Sequence, residues 1–129
     1  MFSWQRPANL GVKDARLAPC KRTPNCVSSQ ADPADREHYI APIAFRGSMQ
    51  ELRRAVESMA RATVISAEKN YLYAEFRTKL MRYVDDVELY YDEKQGLAHV
   101  RSASRLGRRD FGVNRKRVEA LRALIQAPR

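Results

Sequence analysis

Between residues 48 and 125 the spacing of apolar residues changes from that of a helix to that of strands and back to that of a helix. This change narrows the possible folds more than any other feature of the sequence. Apolar residues recur at helical spacing after the capping box Ser48–Glu51. They then alternate through four stretches from Ala62 to Leu106 and return to helical spacing after Asn114. Strands joined by short turns pair antiparallel, and both helices must cover one face of the sheet. The sequence therefore predicts an α+β domain with an antiparallel sheet of about four strands, covered on one face by two helices.

The boundaries of these elements follow from the periodicity and from the turn residues between them. The predicted strands are Ala62–Ala67, Tyr71–Thr78, about Arg82–Tyr91, and Leu97–Leu106. The turns are Glu68–Asn70 and Asp92–Gly96, where Gly96 can adopt a positive φ. The first helix buries Met49, Leu52, Val56 and Met59. Asn114 is predicted to cap the last helix, which buries Val118, Leu121, Leu124 and Ile125.

Residues 1–47 lack a sustained period and contain all but one of the six prolines. A segment of this length without regular structure is either disordered or wraps the domain. We predict a flexible N-terminal arm over residues 1–16 and a single α+β domain over residues 17–129. Ile40, Ile43 and Phe45 alternate with smaller residues, which indicates a short edge strand.

Cys20 and Cys26 are the only two cysteines and lie in a proline-containing segment. Pro19 and Pro24 restrict the backbone, so a small disulfide loop is the leading interpretation, with two free thiols as the alternative. Zinc requires three or four protein ligands, and the two histidines do not have metal-ligand spacing to this pair. No metal and no cofactor is therefore predicted.

The formal net charge of +9 is concentrated near the C-terminus. Residues 101–122 contain eight basic and two acidic residues, an excess of +6. Such a cluster is either a phosphate-binding footprint or a solvated face of a basic protein, so nucleic-acid binding is kept as an alternative function. No apolar run approaches the roughly 20 residues that span a bilayer, and no secretory signal is visible. We therefore expect a cytoplasmic protein, with a periplasmic or membrane-associated location left open.

Asp85 and Asp86 are adjacent on a predicted strand, so their side chains point to opposite faces of the sheet. Asp85 falls on the face that should pack against the helices, where a buried carboxylate needs a partner. The fourth strand offers Arg101 and Arg105, with His99 on the same face. One interpretation is a structural ion pair. The alternative is an enzyme that uses Asp85 as an acid together with His99 or the cysteines.

The segment after residue 100 suggests an anion-binding site. Guanidinium groups suit carboxylate or phosphate, and a helix N-terminus adds backbone donors. The predicted ligand-binding residues are Arg101, Arg105, Asn114 and Arg115. An equally weighted alternative pairs the arginines with carboxylates on neighbouring strands, namely Glu75, Asp86 and Glu88.

Four segments taken together resemble a known family. They include Pro-Asn-Cys-Val-Ser-Ser-Gln (residues 24–30), Tyr-Val-Asp-Asp-Val-Glu (83–88), Val-Arg-Ser-Ala-Ser-Arg-Leu-Gly (100–107) and Asp-Phe-Gly-Val-Asn-Arg-Lys-Arg-Val (110–118). In this combination the chain resembles the bacterial and plastid family called domain of unknown function 1499, over about residues 10–125. Lys21 departs from the proline that usually follows the first cysteine. The resemblance implies one compact domain and gives weight to the aspartate and arginine positions above, but it implies no established activity, substrate or cofactor.

These observations favour a non-enzymatic binding or accessory domain that accepts a small anionic ligand. The enzyme and the nucleic-acid-binding protein described above are the two alternatives, and the sequence leaves the oligomeric state open.

Overall fold

A computed structural model describes residues 5–79, 83–107 and 110–127, and the structural statements below refer to these ranges. The chain forms six strands and two helices. In chain order they are β1 (Cys26–Ser28), β2 (Ile43–Ala44), α1 (Met49–Glu57), β3 (Ala62–Ala67), β4 (Tyr71–Arg77), β5 (Val84–Asp92), β6 (Leu97–Ser104) and α2 (Val113–Gln126).

All strand pairs are antiparallel, in the order β1-β6-β5-β4-β3, with β2 also paired to β6. The α+β class is confirmed, but the prediction of about four strands was too low. Both additional strands lie in residues 1–47: β1 falls in a part that was expected to be irregular, whereas β2 falls within the short strand predicted around Ile40, Ile43 and Phe45. Arg82, where the third predicted strand began, lies outside the described residues.

One face of the sheet forms the apolar core with both helices. Leu72, Ala74 and Phe76 of β4 are all at least 96% buried on this face, as their alternation predicted. The helices cover them with a second set of buried side chains, namely Leu52 and Val56 from α1 and Val118 and Leu121 from α2. Each fully buried large aliphatic side chain stabilises the fold by about 1.5–3 kcal/mol. The helices are therefore fixed to the sheet by apolar burial.

The capping box predicted at the start of α1 is present. The Ser48 hydroxyl accepts a hydrogen bond from the backbone N–H of Glu51 at 3.2 Å, and the Glu51 carboxylate accepts one from the backbone N–H of Ser48 at 3.3 Å. Two backbone donors that the first helical turn leaves unpaired are thus satisfied.

The start of α2 differs from the prediction. Asn114 does not cap the helix but lies inside it with no exposed surface. The N-cap position is Gly112, with φ +78°, and the carboxylate of Asp110 accepts hydrogen bonds from the backbone N–H groups of Gly112 (2.9 Å) and Asn114 (3.1 Å). Asp110 therefore supplies the acceptor that we had assigned to Asn114, because an aspartate ahead of the helix reaches the same donors.

Leu124 is 47% exposed, so its predicted place on the buried stripe of α2 is wrong. Val118, Leu121 and Ile125 define that stripe, and Leu124 lies about 90° around the helix from its centre at 100° per residue. The stripe is narrow because α2 packs mainly against the β1–β6 edge of the sheet and against α1.

The second face of the sheet is covered by the N-terminal arm. Arg6 and Gly11 contact carboxylates on this face, and the Pro19 carbonyl contacts Arg101. The arm contains a tight turn in which Asp14 and Ala15 both have positive φ. The domain boundary at residue 16 stays a prediction. In the described ranges, neither helix has the length and apolar character needed to cross a bilayer.

Candidate functional site

The arm-covered face of the sheet contains a set of buried charged and phenolic side chains that we call the ion cluster. Its members are Tyr71, Tyr73, Glu75, Asp86, Glu88, Arg101 and Arg105. The strand register brings them together, because directly opposed residues share a face: Glu75 lies opposite Asp86, and Glu88 lies opposite Arg101. The pairing of arginines with carboxylates across strands, expected as an alternative to an anion site, is thus present in the structure.

Arg105 is the most fully paired member of the ion cluster. Its Nε lies 2.9 Å from Asp86 Oδ2 and its Nη2 lies 2.8 Å from Asp86 Oδ1, a bidentate arrangement. The same Nη2 donates to Glu75 Oε2 at 2.7 Å. Hydrogen bonding to Asp86 raises the pKa of Arg105 above its ordinary value. These contacts fix the guanidinium within the fold.

Tyr73 lies between the two carboxylates that bind Arg105. Its hydroxyl oxygen is 2.5 Å from Asp86 Oδ1 and 2.7 Å from Glu75 Oε2. Burial, followed by these contacts, raises the pKa of Tyr73 well above its ordinary value. The phenol therefore stays protonated and serves as a hydrogen-bond donor to this pair of acids.

Glu75 connects the ion cluster to the arm. Arg6 Nε donates to Glu75 Oε2 at 2.6 Å, which joins residues that are 69 positions apart. Burial alone would raise the pKa of Glu75, but hydrogen bonds from Arg6, Tyr73 and Arg105 lower it overall. Glu75 is therefore ionised at neutral pH and holds the beginning of the arm.

Arg101 is buried but poorly satisfied. Arg101 is 5% exposed. Its Nη1 lies 3.7 Å from Glu88 Oε1, and its Nη2 donates to the Pro19 carbonyl at 3.4 Å. Among the described residues, neither Arg101 Nε nor Glu88 Oε1 has a hydrogen-bond partner. Burial lowers the pKa of Arg101 below its ordinary value. The guanidinium thus retains donor capacity that a ligand could use.

Glu88 faces Arg101 but uses its other oxygen elsewhere. Glu88 Oε2 accepts hydrogen bonds from Gly11 N at 2.8 Å and from the Tyr71 hydroxyl at 2.6 Å. Burial, together with the bond to Glu88, raises the pKa of Tyr71. The bonds to Gly11 and Tyr71 therefore fix the Glu88 carboxylate at a distance from Arg101 that is too long for a hydrogen bond.

A cleft of about 470 Å³ opens between the arm and the ion cluster, and we call it the arm cleft. Its size is within the range of small-molecule sites. Three parts of the chain line it: the arm over residues 5–9, the disulfide-linked segment through Lys21, Asn25 and Cys26, and the sheet through Asp86, Arg101 and residues 103–105. Its ionisable lining residues are four cations (Arg6, Lys21, Arg101, Arg105) and one acid (Asp86).

Asp85 lies on the opposite, helix-covered face, and its partner differs from the prediction. Arg117 Nη2 of α2 donates to Asp85 Oδ2 at 2.7 Å, whereas Arg101 and Arg105 lie on the other face with Asp86. Burial raises the pKa of Asp85 above its ordinary value despite Arg117. His99 also lies on the arm-covered face, because it is directly opposed to Tyr90. The structure thus does not bring Asp85 and His99 together.

The four residues predicted to bind an anion are divided between two places. Arg101 and Arg105 line the arm cleft, whereas Asn114 is buried in α2 and bonds to Ser102 Oγ through its Oδ1 at 2.6 Å. Arg115 donates to backbone carbonyls of residues 36 and 37 at 3.3 and 3.4 Å. Only the two strand-derived arginines therefore share a cavity.

The basic segment 101–122 does not form one exposed stripe. Arg101, Arg105 and Arg117 are buried in ion pairs on the two faces of the sheet. Arg122 is occupied by Glu119 and by the carbonyls of residues 41 and 42. Arg108 and Arg109 lie outside the described residues. Nucleic-acid binding through this segment stays a prediction, and the basic side chains described in residues 101–107 and 110–122 do not form a contiguous surface that would support it.

Cys20 and Cys26 form a disulfide. The described part of the chain contains no free cysteine and no group of three or more metal-ligating side chains. Within the disulfide loop the Thr23 carbonyl accepts a hydrogen bond from His38 Nε2 at 2.9 Å, while His38 Nδ1 contacts Asp35 at 2.8 Å. Both ring nitrogens of His38 therefore face acceptors. Although burial disfavours the charged ring, these bonds raise the pKa of His38.

One serine–histidine contact was missed by the sequence analysis. Ser29 Oγ lies 3.1 Å from His99 Nδ1, 70 residues away, and accepts a hydrogen bond from Val100 N at 2.9 Å. The hydroxyl is therefore engaged by both the His99 ring and the backbone of Val100, and Ser29 is 7% exposed. The local sequence carried no signal for this pair, because strand pairing alone brings the two residues together. Its geometry fits a structural bond between β6 and the segment after β1.

The sequence comparisons address the family. The family model described as protein of unknown function (DUF1499) matches residues 16–125. The chain belongs to this family. The matched range contains the disulfide and the whole ion cluster of this DUF1499 protein, but it excludes Arg6 and Gly11 of the arm. No curated protein and no solved structure gave a match.

Proposed function

We propose that this DUF1499 protein is a non-enzymatic binding domain that holds a small anionic ligand in the arm cleft. The observation that carries the proposal is the state of Arg101, a buried guanidinium that lines the cleft and whose Nε has no hydrogen-bond partner among the described residues. A phosphate or carboxylate group of a ligand would supply the missing acceptor once the Arg101 side chain turns its buried Nε toward the cleft.

The charges around the cleft favour binding of an anion but limit how much negative charge that anion can carry. In the ion cluster together with Arg6, three arginines balance three carboxylates: Arg6, Arg101 and Arg105 against Glu75, Asp86 and Glu88. Lys21 adds one further cation to the cleft wall. Glu75 and Glu88 lie behind the cleft rather than in its lining, so a bound anion meets the cations first. One or two negative charges would be matched in this arrangement.

Phosphate and citrate titrations of the melting temperature test the proposal. Such anions also stabilise proteins by general exclusion from the surface, so the informative quantity is the shift relative to an Arg101→Met variant at equal ionic strength. Specific binding at 100 times the dissociation constant would add about 2.7 kcal/mol to the unfolding free energy. We expect this increment in the wild type and its loss in Arg101→Met.

Arg115→Met is the matched control, because it removes an arginine that the structure places away from the arm cleft. It should keep the full ligand-dependent shift. Equal shifts in the wild type and Arg101→Met, for every anion tried, would refute the proposed function. Loss of the shift in Arg115→Met would mean that the site is not the arm cleft.

A further inference from the structure

The disulfide loop, residues 20–26, is held firmly at its C-terminal end. Cys26 is 2% exposed and pairs with Ala103 in the sheet. The Asn25 carbonyl accepts from Ser104 N at 3.0 Å, and Asn25 Nδ2 donates to the Gly107 carbonyl at 2.7 Å. This end belongs to the rigid core and does not depend on the covalent bond.

The N-terminal end of the loop has much weaker support. Upstream, Leu17 N donates to Gln30 Oε1 at 2.7 Å, and downstream Thr23 is bonded to His38. Between these two points, the contacts that the structure gives for the described chain are the disulfide itself and the 3.4 Å bond from Arg101 to the Pro19 carbonyl. The covalent bond is therefore the main restraint on residues 18–22.

One of these weakly held residues, Lys21, lies in the wall of the arm cleft, and its neighbours position it there. Lys21 follows Cys20 directly and lines the cleft, and Pro19 precedes Cys20 and contacts Arg101. We propose that the redox state of Cys20 and Cys26 sets the affinity of the arm cleft for its anion, with the disulfide form binding more tightly. This inference rests on the proposed function. Its physical basis is pre-organisation, since a wall freed by reduction must be ordered again when the ligand binds.

The chemistry requires a dithiol reductant, either a small dithiol or a dithiol protein. A thiolate of the reductant attacks Cys20 Sγ, because Cys20 is partly exposed whereas Cys26 is buried. The bond between the two protein sulfurs breaks and Cys26 leaves as a thiolate. The second thiol of the reductant then attacks the mixed disulfide and releases Cys20. Two electrons and two protons pass to the protein, and the reductant becomes a disulfide.

Isothermal titration with inorganic phosphate tests the inference on three samples: oxidised wild type, dithiothreitol-reduced wild type, and Cys20→Ser. We expect the dissociation constant for phosphate to be at least tenfold larger in the reduced protein and in Cys20→Ser. On reoxidation, only the wild type should recover its original affinity. Arg115→Met should show the same redox dependence as the wild type. Hydrogen exchange should show faster exchange over residues 18–22 on reduction, with β5 and β6 unchanged.

The outcomes separate the two proposals. Equal phosphate affinity in both redox states overturns the redox control and leaves the anion site intact. Absence of binding in either state overturns the proposed function and the redox control with it. Loss of protection throughout the sheet on reduction also overturns the redox control, because the disulfide would then serve general stability. If Cys20→Ser does not fold, the test compares only the oxidised wild type with the reduced wild type.

Discussion

Replacement of Arg117 by methionine should destabilise the fold strongly, because it would leave the buried carboxylate of Asp85 without its cation. Asp85 is 1% exposed, and the Arg117 side chain is 10% exposed in their 2.7 Å ion pair. Removal of one partner from such a pair typically costs about 3–5 kcal/mol. Methionine retains an unbranched stem near the Phe76 ring, whose centroid lies 4.8 Å from the Arg117 guanidinium carbon. The expected loss is therefore mainly electrostatic, and it is a large fraction of the roughly 5–15 kcal/mol by which a typical domain is stable.

The double variant Asp85→Leu with Arg117→Met should recover most of this loss, to within about 1 kcal/mol of the wild type, because no uncompensated charge then remains. In the double variant the neighbouring Ser102 and Asn114 should keep their hydrogen bond to each other, in which the Ser102 hydroxyl donates to Asn114 Oδ1 at 2.6 Å. Recovery in the double variant separates the cost of an unpaired charge from the cost of lost packing.

The cost of Arg117→Met should also depend on pH. Burial already raises the pKa of Asp85, and loss of Arg117 removes the interaction that opposes this shift. A carboxyl with a raised folded-state pKa binds its proton more tightly in the folded state than in the unfolded state. The variant should therefore regain stability as the pH falls through the folded-state pKa of Asp85, relative to the wild type.

Urea unfolding at pH 7 and pH 5, followed by circular dichroism, would measure these differences. Arg53→Met is the matched control, because Arg53 pairs with Glu57 on the exposed surface of α1 and should contribute less than about 0.5 kcal/mol. A loss below about 1 kcal/mol in Arg117→Met at pH 7 would refute the reasoning. So would a double variant as unstable as the single one.

Three further predictions concern other parts of the fold. In NMR spectra the two histidines should titrate on opposite sides of the ordinary histidine pKa of about 6.5. The pKa of His38 should lie above this value, so the stability that His38 contributes is lost as the pH rises through its pKa. The pKa of His99 should lie below it, because burial lowers that pKa. The reverse order would contradict the structure. Leu121→Ala should cost about 2–5 kcal/mol in urea unfolding, whereas Leu124→Ala should cost under about 0.5 kcal/mol; equal losses would contradict the observed stripe. Ala15→Gly should raise stability by about 1 kcal/mol, because Ala15 has φ +61°, and a loss would contradict this turn.

The four longer strands could be predicted from the sequence because one face of the sheet is apolar and the other is largely polar, which imposes a period of two on the residues. β4 shows this best, with Leu72, Ala74 and Phe76 on the core side. β1 could not be predicted in this way, because it contains three residues, too few to show a period, and its pairing with β6 depends on tertiary contacts. For β2, the alternation of Ile40, Ile43 and Phe45 indicated a short strand, but it did not indicate the pairing with β6.

The candidate site was only partly predictable. The sequence indicated that Arg101 and Arg105 share a face of β6 and its extension, but not which carboxylate they face. A register shift of one residue exchanges the faces of a strand, and Asp85 and Asp86 are adjacent, so the partner of Asp85 was wrongly assigned. Arg6 carried no signal at all, because the arm has no periodicity that could place it against the sheet.

The arm has a practical consequence for work on shortened chains. The family match begins at residue 16, so a chain cut at that boundary would lose both Arg6 and Gly11. Glu88 would lose a backbone donor and Glu75 an arginine, and the cleft would lose the wall formed by residues 5–9. Such a chain would expose a face built of acids and arginines, and its stability would respond differently to ionic strength from that of the full chain. Assays on a fragment trimmed to the family limits would therefore report on a surface that the full chain covers.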